Sequence, residues 1–217
     1  MSAIPSFDHL AAPYRWMEYF TFGPLLMRTR LAFLEELKNS RRTLVLGDGD
    51  GRFTRALLSA NPALHVDAVD CSPSMLRALA SRAAPFSRRL RTHCADLRQW
   101  QPEAQGYDLV ITHFFLDCLN GDELAALVAR ILPALAPHAR WVVSEFSIPP
   151  RPRMLAGLAR LLVAALYFAF RILTGLAVRQ LPDHSSAFQR AGFTRLGRKN
   201  FLAGVLIAEL WSAPRLA

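Results

Sequence analysis

Residues 44–53 read Leu44-Val45-Leu46-Gly47-Asp48-Gly49-Asp50-Gly51-Arg52-Phe53, and Asp70 closes a second apolar run nineteen residues after Gly51. An apolar strand enters three alternating glycines and leaves into a helix. Glycine lets the backbone turn sharply and approach a ligand closely. An acid at the end of the following strand accepts hydrogen bonds from a ribose diol. The pairing predicts a nucleoside site.

Charge narrows the choice of nucleoside. A dinucleotide fingerprint needs a further glycine where Arg52 stands. Asp48 and Asp50 lie inside the loop and would repel a pyrophosphate. S-adenosylmethionine has no phosphate; its sulfonium and ammonium are attracted by acids. The sign of the loop therefore favours S-adenosylmethionine over NAD. No Gly-Lys-Ser/Thr is present at this loop, which excludes a P-loop.

Working outward, helices and strands alternate. Apolar spacing and breakers predict helices over 13–38, a strand at 43–46, a helix at 52–60 stopped by Asn61-Pro62, and a strand at 65–69. A helix at 73–82 follows, started at Cys71-Ser72-Pro73. Strands at 90–94 and 107–112, a helix at 121–135 and a strand at 140–146 continue the alternation. A short helix at 184–191 and two strand-like runs, 193–201 and 204–211, end the chain as an antiparallel hairpin. The expected fold is α/β: a Rossmann-like doubly wound sheet, mostly parallel, with a C-terminal antiparallel hairpin strand.

At 217 residues and 52% hydrophobic, the chain is long enough for one α/β domain with a sizeable core. Its net charge of +9 is uneven. Residues 1–150 hold 16 basic and 15 acidic side chains; residues 151–217 hold 10 and 2. The cationic tail suggests an anionic surface or substrate. Nucleic acid is not expected, because the basic residues alternate with Leu, Ala and Val. Cys71, Cys94 and Cys118 form no Cys-x-x-Cys pair and read as reduced thiols. No metal is expected, since His65, His93, His113, His138 and His184 lack ligand spacing. The N-terminus has neither the basic region nor the apolar run of a signal peptide.

Four blocks now stand in order: Gly47-Asp48-Gly49-Asp50-Gly51, Val69-Asp70-Cys71-Ser72-Pro73-Ser74-Met75-Leu76, Ala95-Asp96-Leu97, and Tyr107-Asp108-Leu109-Val110. Over residues 40–146 this resembles class I S-adenosylmethionine-dependent methyltransferases, and within them the ubiquinone/menaquinone-biosynthesis-like branch. The resemblance implies that Gly47, Asp48, Gly49, Asp50 and Gly51 hold the methionine and ribose portion. It implies that Asp70 binds the ribose hydroxyls, with Cys71 beside it, and that Met75 lies near the adenine. Asp96 would accept from the adenine amino group and Leu97 would cover the ring. Thr112 and His113 would border the reacting methyl. The family's acid two positions before the first glycine is here Val45, so Asp48 or Asp50 takes the cofactor's ammonium. In this respect the loop also resembles aminopropyltransferases.

His113, at a strand end, reads either as a general base or as a packed core histidine. Asp117 follows four residues later; in a helical turn it would orient His113, and otherwise it caps the next helix. His184 either projects into the substrate mouth or caps a helix. Tyr14 and Tyr19 read as lid or core. The apolar segment 153–178 has Arg153, Arg160, Tyr167, Arg171 and Thr174 on one helical stripe. Its arginines argue against a membrane span and for a helix lining an apolar pocket, with weak attachment to anionic lipid as an option. The organisation expected is a single domain: an N-terminal helical lid (1–40), a cofactor core (41–150), an apolar and basic helical insertion (151–183), and a terminal helix and hairpin (184–217). The expected activity is methyl transfer to a small lipophilic, quinone- or phenol-like acceptor in the cytoplasm, with peripheral contact at the inner membrane face as a variant. The alternatives are an aminopropyltransferase-like enzyme and a non-catalytic nucleoside-binding, membrane-associated accessory protein.

Overall fold

In a computed structural model of the chain, residues 24–102, 105–147 and 182–214 are described. The readings for the helix before residue 24, for Tyr14 and Tyr19, and for the 153–178 segment fall outside them. Among the described residues, no helix is long and apolar enough to cross a membrane.

The chain enters at α1 (Pro24–Arg30), which tightens into a 3-10 turn over Leu31–Leu37. Then follow β1 (Arg42–Leu46), α2 (Arg52–Ala60), β2 (His65–Asp70), α3 (Pro73–Arg82), β3 (Leu90–Cys94), β4 (Tyr107–His113), α4 (Gly121–Ile131) and β5 (Leu135–Phe146). The close is α5 (His184–Arg190), β6 (Thr194–Phe201) and β7 (Leu206–Ser212). The seven strands lie in the order β3-β2-β1-β4-β5-β7-β6. The first five pair in parallel; β7 runs antiparallel to β5, and β6 antiparallel to β7. This is the doubly wound fold expected, with the hairpin at its edge.

Alternate residues of each strand face opposite sides, as pleating requires. Leu44, Leu46, Val69, Val110, Trp141, Val143 and Trp211 pack one side under α4 and α5. Val45, Val66, Ala68, Ile111 and Val142 pack the other, with Phe33, Phe53, Leu57 and Leu79. Both faces are apolar because both are covered.

Helix starts follow local chemistry. Ser72 caps α3 by accepting from the Met75 amide at 3.3 Å, with Pro73 at the first helical position. Asn120 and Glu123 form a reciprocal capping box on α4. Two boundaries differ from the sequence reading by more than two residues. α4 stops at Ile131 and continues only as a 3-10 turn over Leu132–Ala134, since Pro133 has no N–H to give an α-helical bond. β5 begins at Leu135 rather than 140, with His138 at φ +60° where the strand turns into register.

The strand order reverses between β1 and β4, since β1 is followed by a strand on one side and β4 by strands on the other. Ligands in such sheets bind at the carboxyl ends flanking the reversal. Gly47 leaves β1 and His113 ends β4 at that place.

Candidate functional site

The glycine loop is fastened to the sheet by the Gly47 amide, which donates to the Val69 carbonyl at 2.9 Å. Gly47 has φ +66°, and a Cβ there would lie 2.5 Å from the Phe115 ring. Gly51, at φ +77°, would drive a Cβ to 2.8 Å from the Leu79 backbone. Both positions require glycine for conformation and for space. Gly49 shares the left-handed backbone, at φ +61°, but not the crowding: a Cβ there would meet only the Met75 sulfur, at 3.9 Å. The loop is tight at both ends and open in the middle.

The loop's acids are not free charges. Asp50 pairs with Arg52 at 3.1 Å and Arg82 at 2.9 Å. Asp48 accepts on one oxygen, Oδ2, from the Thr54 amide at 3.0 Å and the Thr54 hydroxyl at 2.7 Å. Burial pushes Asp48 up to about 6, against the pull of the Thr54 bonds and of Arg30. Of the two candidates for the ammonium, Asp50 is engaged by two arginines, whereas Asp48 is held by Thr54 and feels the Arg30 charge.

Asp70 ends β2 and accepts from the Ser72 amide at 2.9 Å, with the Gly49 and Cys71 amides also facing it. Burial raises it to about 6 despite those amides. Burial, and then the Asp70 charge, push the Cys71 thiol up to about 11. Met75 is nearly buried and stands beside Gly49. Asp96 is clasped by Arg98, whose Nε lies 3.0 and 3.1 Å from its two oxygens. Burial would raise Asp96, but the Arg98 bonds outweigh it and hold the group low. Leu97 is buried in the core under α4. Its side chain is therefore committed to packing there, a constraint on the ring-covering role.

At the carboxyl end of β4 the structure revises several expectations. Thr112 is fully buried and takes a hydrogen bond from the Trp141 indole at 3.1 Å, so its side chain faces the core. His113 is 3% exposed and meets Phe53 edge-on at 4.3 Å. Neither ring nitrogen has a hydrogen-bond partner among the described residues. Burial, and then the Arg30 charge, hold His113 well below 6.5, so it is neutral. His113 is the packed core histidine rather than a poised base. It shares no helical face with Asp117, because Phe114 turns at φ +53° and a 3-10 turn begins at Leu116. His184 does not reach the mouth: its Nε2 lies 3.0 Å from Glu209, itself fully buried on β7. Asp183, not His184, caps α5.

Glu145 escaped the sequence reading. It is the penultimate residue of β5, is 2% exposed, and accepts on Oε1 from the Phe115 and Leu116 amides at 3.1 and 2.8 Å. Burial, and then the charge of Asp117, push it well above the usual carboxylate range. The signal was an acid inside the apolar run Trp141-Val142-Val143-Ser144-Glu145-Phe146. Beyond it, Phe114, Phe146 and Phe201 form an apolar cluster with Leu25, Leu26 and Leu206. The Arg30 guanidinium lies over the Phe114 ring at 5.4 Å. No group of side chains suited to a metal ion occurs among the described residues.

Residues 44–138 match the family model described as a methyltransferase domain. The chain is 28% identical over 139 residues to polyamine aminopropyltransferase 2 of Bacillus anthracis, covering 52% of this chain and 39% of that protein. It is 33% identical over 106 residues to the malonyl-[acyl-carrier protein] O-methyltransferase of Halorhodospira halophila, covering 49% and 35%. The matched segment thus spans under two fifths of these relatives. A solved mitomycin 7-O-methyltransferase superposes with a TM-score of 0.70 at 17% identity, covering 95% of this chain and 59% of that one. The fold is that of the class I methyltransferases, and the cofactor it implies is S-adenosylmethionine. The residues present fit that molecule: Gly49 leaves open space at the loop centre, and Asp70 presents a carboxylate at the strand end beside it.

Proposed function

We propose that this chain, with its methyltransferase domain over residues 44–138, transfers a methyl group from S-adenosylmethionine to a small lipophilic acceptor of quinone or phenol type. The observation that supports this best is a juxtaposition. The glycine loop and Asp70 stand on one side of the strand-order reversal, and the Phe114–Phe146–Phe201 cluster stands at the ends of β4, β5 and β6.

When bound, S-adenosylmethionine supplies a methyl group activated on a sulfonium. Asp70 accepts from the ribose hydroxyls, and Gly49 lets the backbone lie close to the ligand. Met75 flanks the loop centre. The apolar cluster excludes water and orients a flat acceptor; such positioning supplies much of the acceleration in a displacement. His113, buried, weakly basic and with no hydrogen-bond partner among the described residues, is poorly placed to take the acceptor's proton. An acceptor already ionised in solution, as an acidic phenol is, needs no base from the chain.

Aminopropyl transfer is the second reading. The Gly-Asp-Gly-Asp-Gly loop and the Bacillus anthracis relative favour it. Incubation with methyl-labelled S-adenosylmethionine and a lipid extract, beside decarboxylated S-adenosylmethionine and polyamines, separates the two. Label in an extractable lipophilic product supports methyl transfer. Polyamine elongation with no methylated product overturns it. Cofactor binding without either product leaves a non-catalytic nucleoside-binding protein.

The cationic tail adds a proposal about place. Residues 151–217 carry ten basic and two acidic side chains. A cytoplasmic protein so charged would touch anionic membranes weakly, at about 1 kcal/mol per basic group at most. Binding to anionic vesicles that moderate salt abolishes is the expected result. Equal binding to neutral vesicles, or none at low salt, would remove the electrostatic contact.

A further inference from the structure

We infer that Glu145 is a positioning residue for the cofactor site, holding the turn after β4 so that Phe115 walls the glycine loop. The inference rests on the cofactor reading above. It begins with where the chain goes after His113. The Phe114 amide donates to the Ser144 carbonyl at 2.7 Å, the last contact of β4 with β5. Phe114 then takes φ +53°, and the chain turns away from the sheet. The next two amides, of Phe115 and Leu116, would be left without partners in a partly buried turn. Glu145 receives both.

The consequence reaches the ligand loop through one side chain. Fixed by its amide, Phe115 lays its ring where a Cβ on Gly47 would be 2.5 Å from Cδ2 and 2.7 Å from Cγ. Gly47 is the residue at which β1 turns into the loop. Leu79 closes the loop's other end against Gly51. Phe115 and Leu79 are thus the two walls, and Glu145 sets one of them.

The Phe115 and Leu116 amides both fall on one oxygen, Oε1, and the Asp117 amide also faces the carboxylate, while Oε2 is buried with no hydrogen-bond partner among the described residues. The turn therefore needs one oxygen at that point, not a negative charge. Glutamine supplies that oxygen. Alanine does not, and aspartate keeps the charge but withdraws the oxygen by one methylene.

The test is S-adenosylhomocysteine affinity by calorimetry, with amide hydrogen exchange of residues 47–51 in the ligand-free protein. Glu145→Gln should bind within about twofold of the parent. Glu145→Ala and Phe115→Ala should each bind about tenfold more weakly, the cost of roughly one unmade hydrogen bond or lost wall. The double variant Glu145→Ala/Phe115→Ala should be no weaker than about twofold beyond the weaker single, because both remove the same wall. Exchange at the loop should quicken in the alanine variants and not in Glu145→Gln. Where Glu145→Ala does not fold, Glu145→Asp replaces it with the same expectation. Additive losses, a Glu145→Gln as impaired as Glu145→Ala, or unchanged loop exchange would each overturn the inference. If the parent protein itself fails to bind S-adenosylhomocysteine, the cofactor reading falls, while the exchange measurement still decides whether Glu145 sets the loop.

Discussion

Arg82 reaches back from the end of α3 and holds Asp50 at two points, with its terminal nitrogen 2.9 Å from the carboxylate and its Nε 2.9 Å from the carbonyl oxygen. Arg52 closes on the same carboxylate oxygen from the start of α2. Asp50 is therefore a strut between the loop and two helices. Asp48 and Asp70 are the acids beside it, and burial raises both to about 6.

Replacing Arg82 with Met should loosen this strut. The groups are mostly shielded from water, so losing a charge-assisted pair should cost about 1–2 kcal/mol in urea unfolding. S-adenosylhomocysteine affinity should fall with it. Asp50→Asn, which keeps an acceptor, should cost less than Arg82→Met. An Asp50→Asn variant that loses affinity while stability is untouched would return Asp50 to direct ligand contact.

Asp70 carries a pH signature. Burial raises it to about 6 in the ligand-free protein, above the unfolded value of 3.8. Between those values the folded state holds a proton that the unfolded state has lost, so this group's burial costs stability as pH rises through the window. A ribose diol donates to the ionised form, so binding opposes that protonation. S-adenosylhomocysteine affinity should rise from about pH 5 to about pH 7, with proton release on binding near the middle of the range. Asp70→Asn should make the profile shallower, leaving the part that belongs to Asp48, which burial also raises to about 6, and Asp70→Ala should weaken binding by about 1.5–3 kcal/mol. Calorimetry in buffers of different ionisation enthalpy reads both; a flat profile in the parent protein refutes the assignment.

His113 gives the opposite sign. Its folded value lies well below 6.5, so the unfolded chain takes up a proton first as pH falls. The stability that His113 contributes by remaining neutral is present above about pH 6.5 and is lost on acidification below it. His113→Leu should remove that acid sensitivity. It should leave stability near neutral pH the same or higher by about 1 kcal/mol, because two unpartnered ring nitrogens leave the core. Unfolding midpoints at acid and neutral pH test this. A variant clearly less stable at neutral pH would mean that the ring nitrogens have a partner.

The contrast among these residues shows what a linear sequence carries. α2 at 52–60 and α3 at 73–82 were legible to the residue, because Asn61-Pro62 and Ser72-Pro73 act on their neighbours. The placement of the glycine loop and of Asp70 was legible because both sit at strand ends, whose positions follow from periodicity. Partner choice was not. Asp50 and Arg82 are 32 positions apart, and Glu145 and Phe115 30. Only the assembled sheet decides which charges meet. His113 was ambiguous for the same reason: its basicity depends on burial against Phe53 and on the Arg30 charge, both brought from elsewhere in the chain.

Glu209 makes the same point on the hairpin. It is fully buried on β7, yet His184 at 3.0 Å, Arg195 at 2.9 Å, Arg198 at 3.3 Å and the Trp211 indole at 3.2 Å surround it. Burial alone would raise its pKa, but the His184 bond and the cations hold it below 4.5. A carboxylate lowered in the folded state stabilises above its unfolded value, and that contribution is lost as pH falls through the folded one. Removing one member of a buried charged set strands the others, at a cost of about 3–5 kcal/mol. Arg195 and Arg198 are only partly buried and can turn to solvent, which places Glu209→Ala near the lower end. Glu209→Gln should lose less, and its stability should fall less steeply than the parent's on acidification. His184→Ala should lose less again, since both arginines remain. All three should bind S-adenosylhomocysteine within about twofold of the parent, because the network belongs to the hairpin and not to the loop. Urea unfolding at neutral and acid pH, with calorimetry on the same samples, reads both quantities. A His184→Ala protein that folds with parental stability but binds ten times more weakly would return His184 to the ligand site.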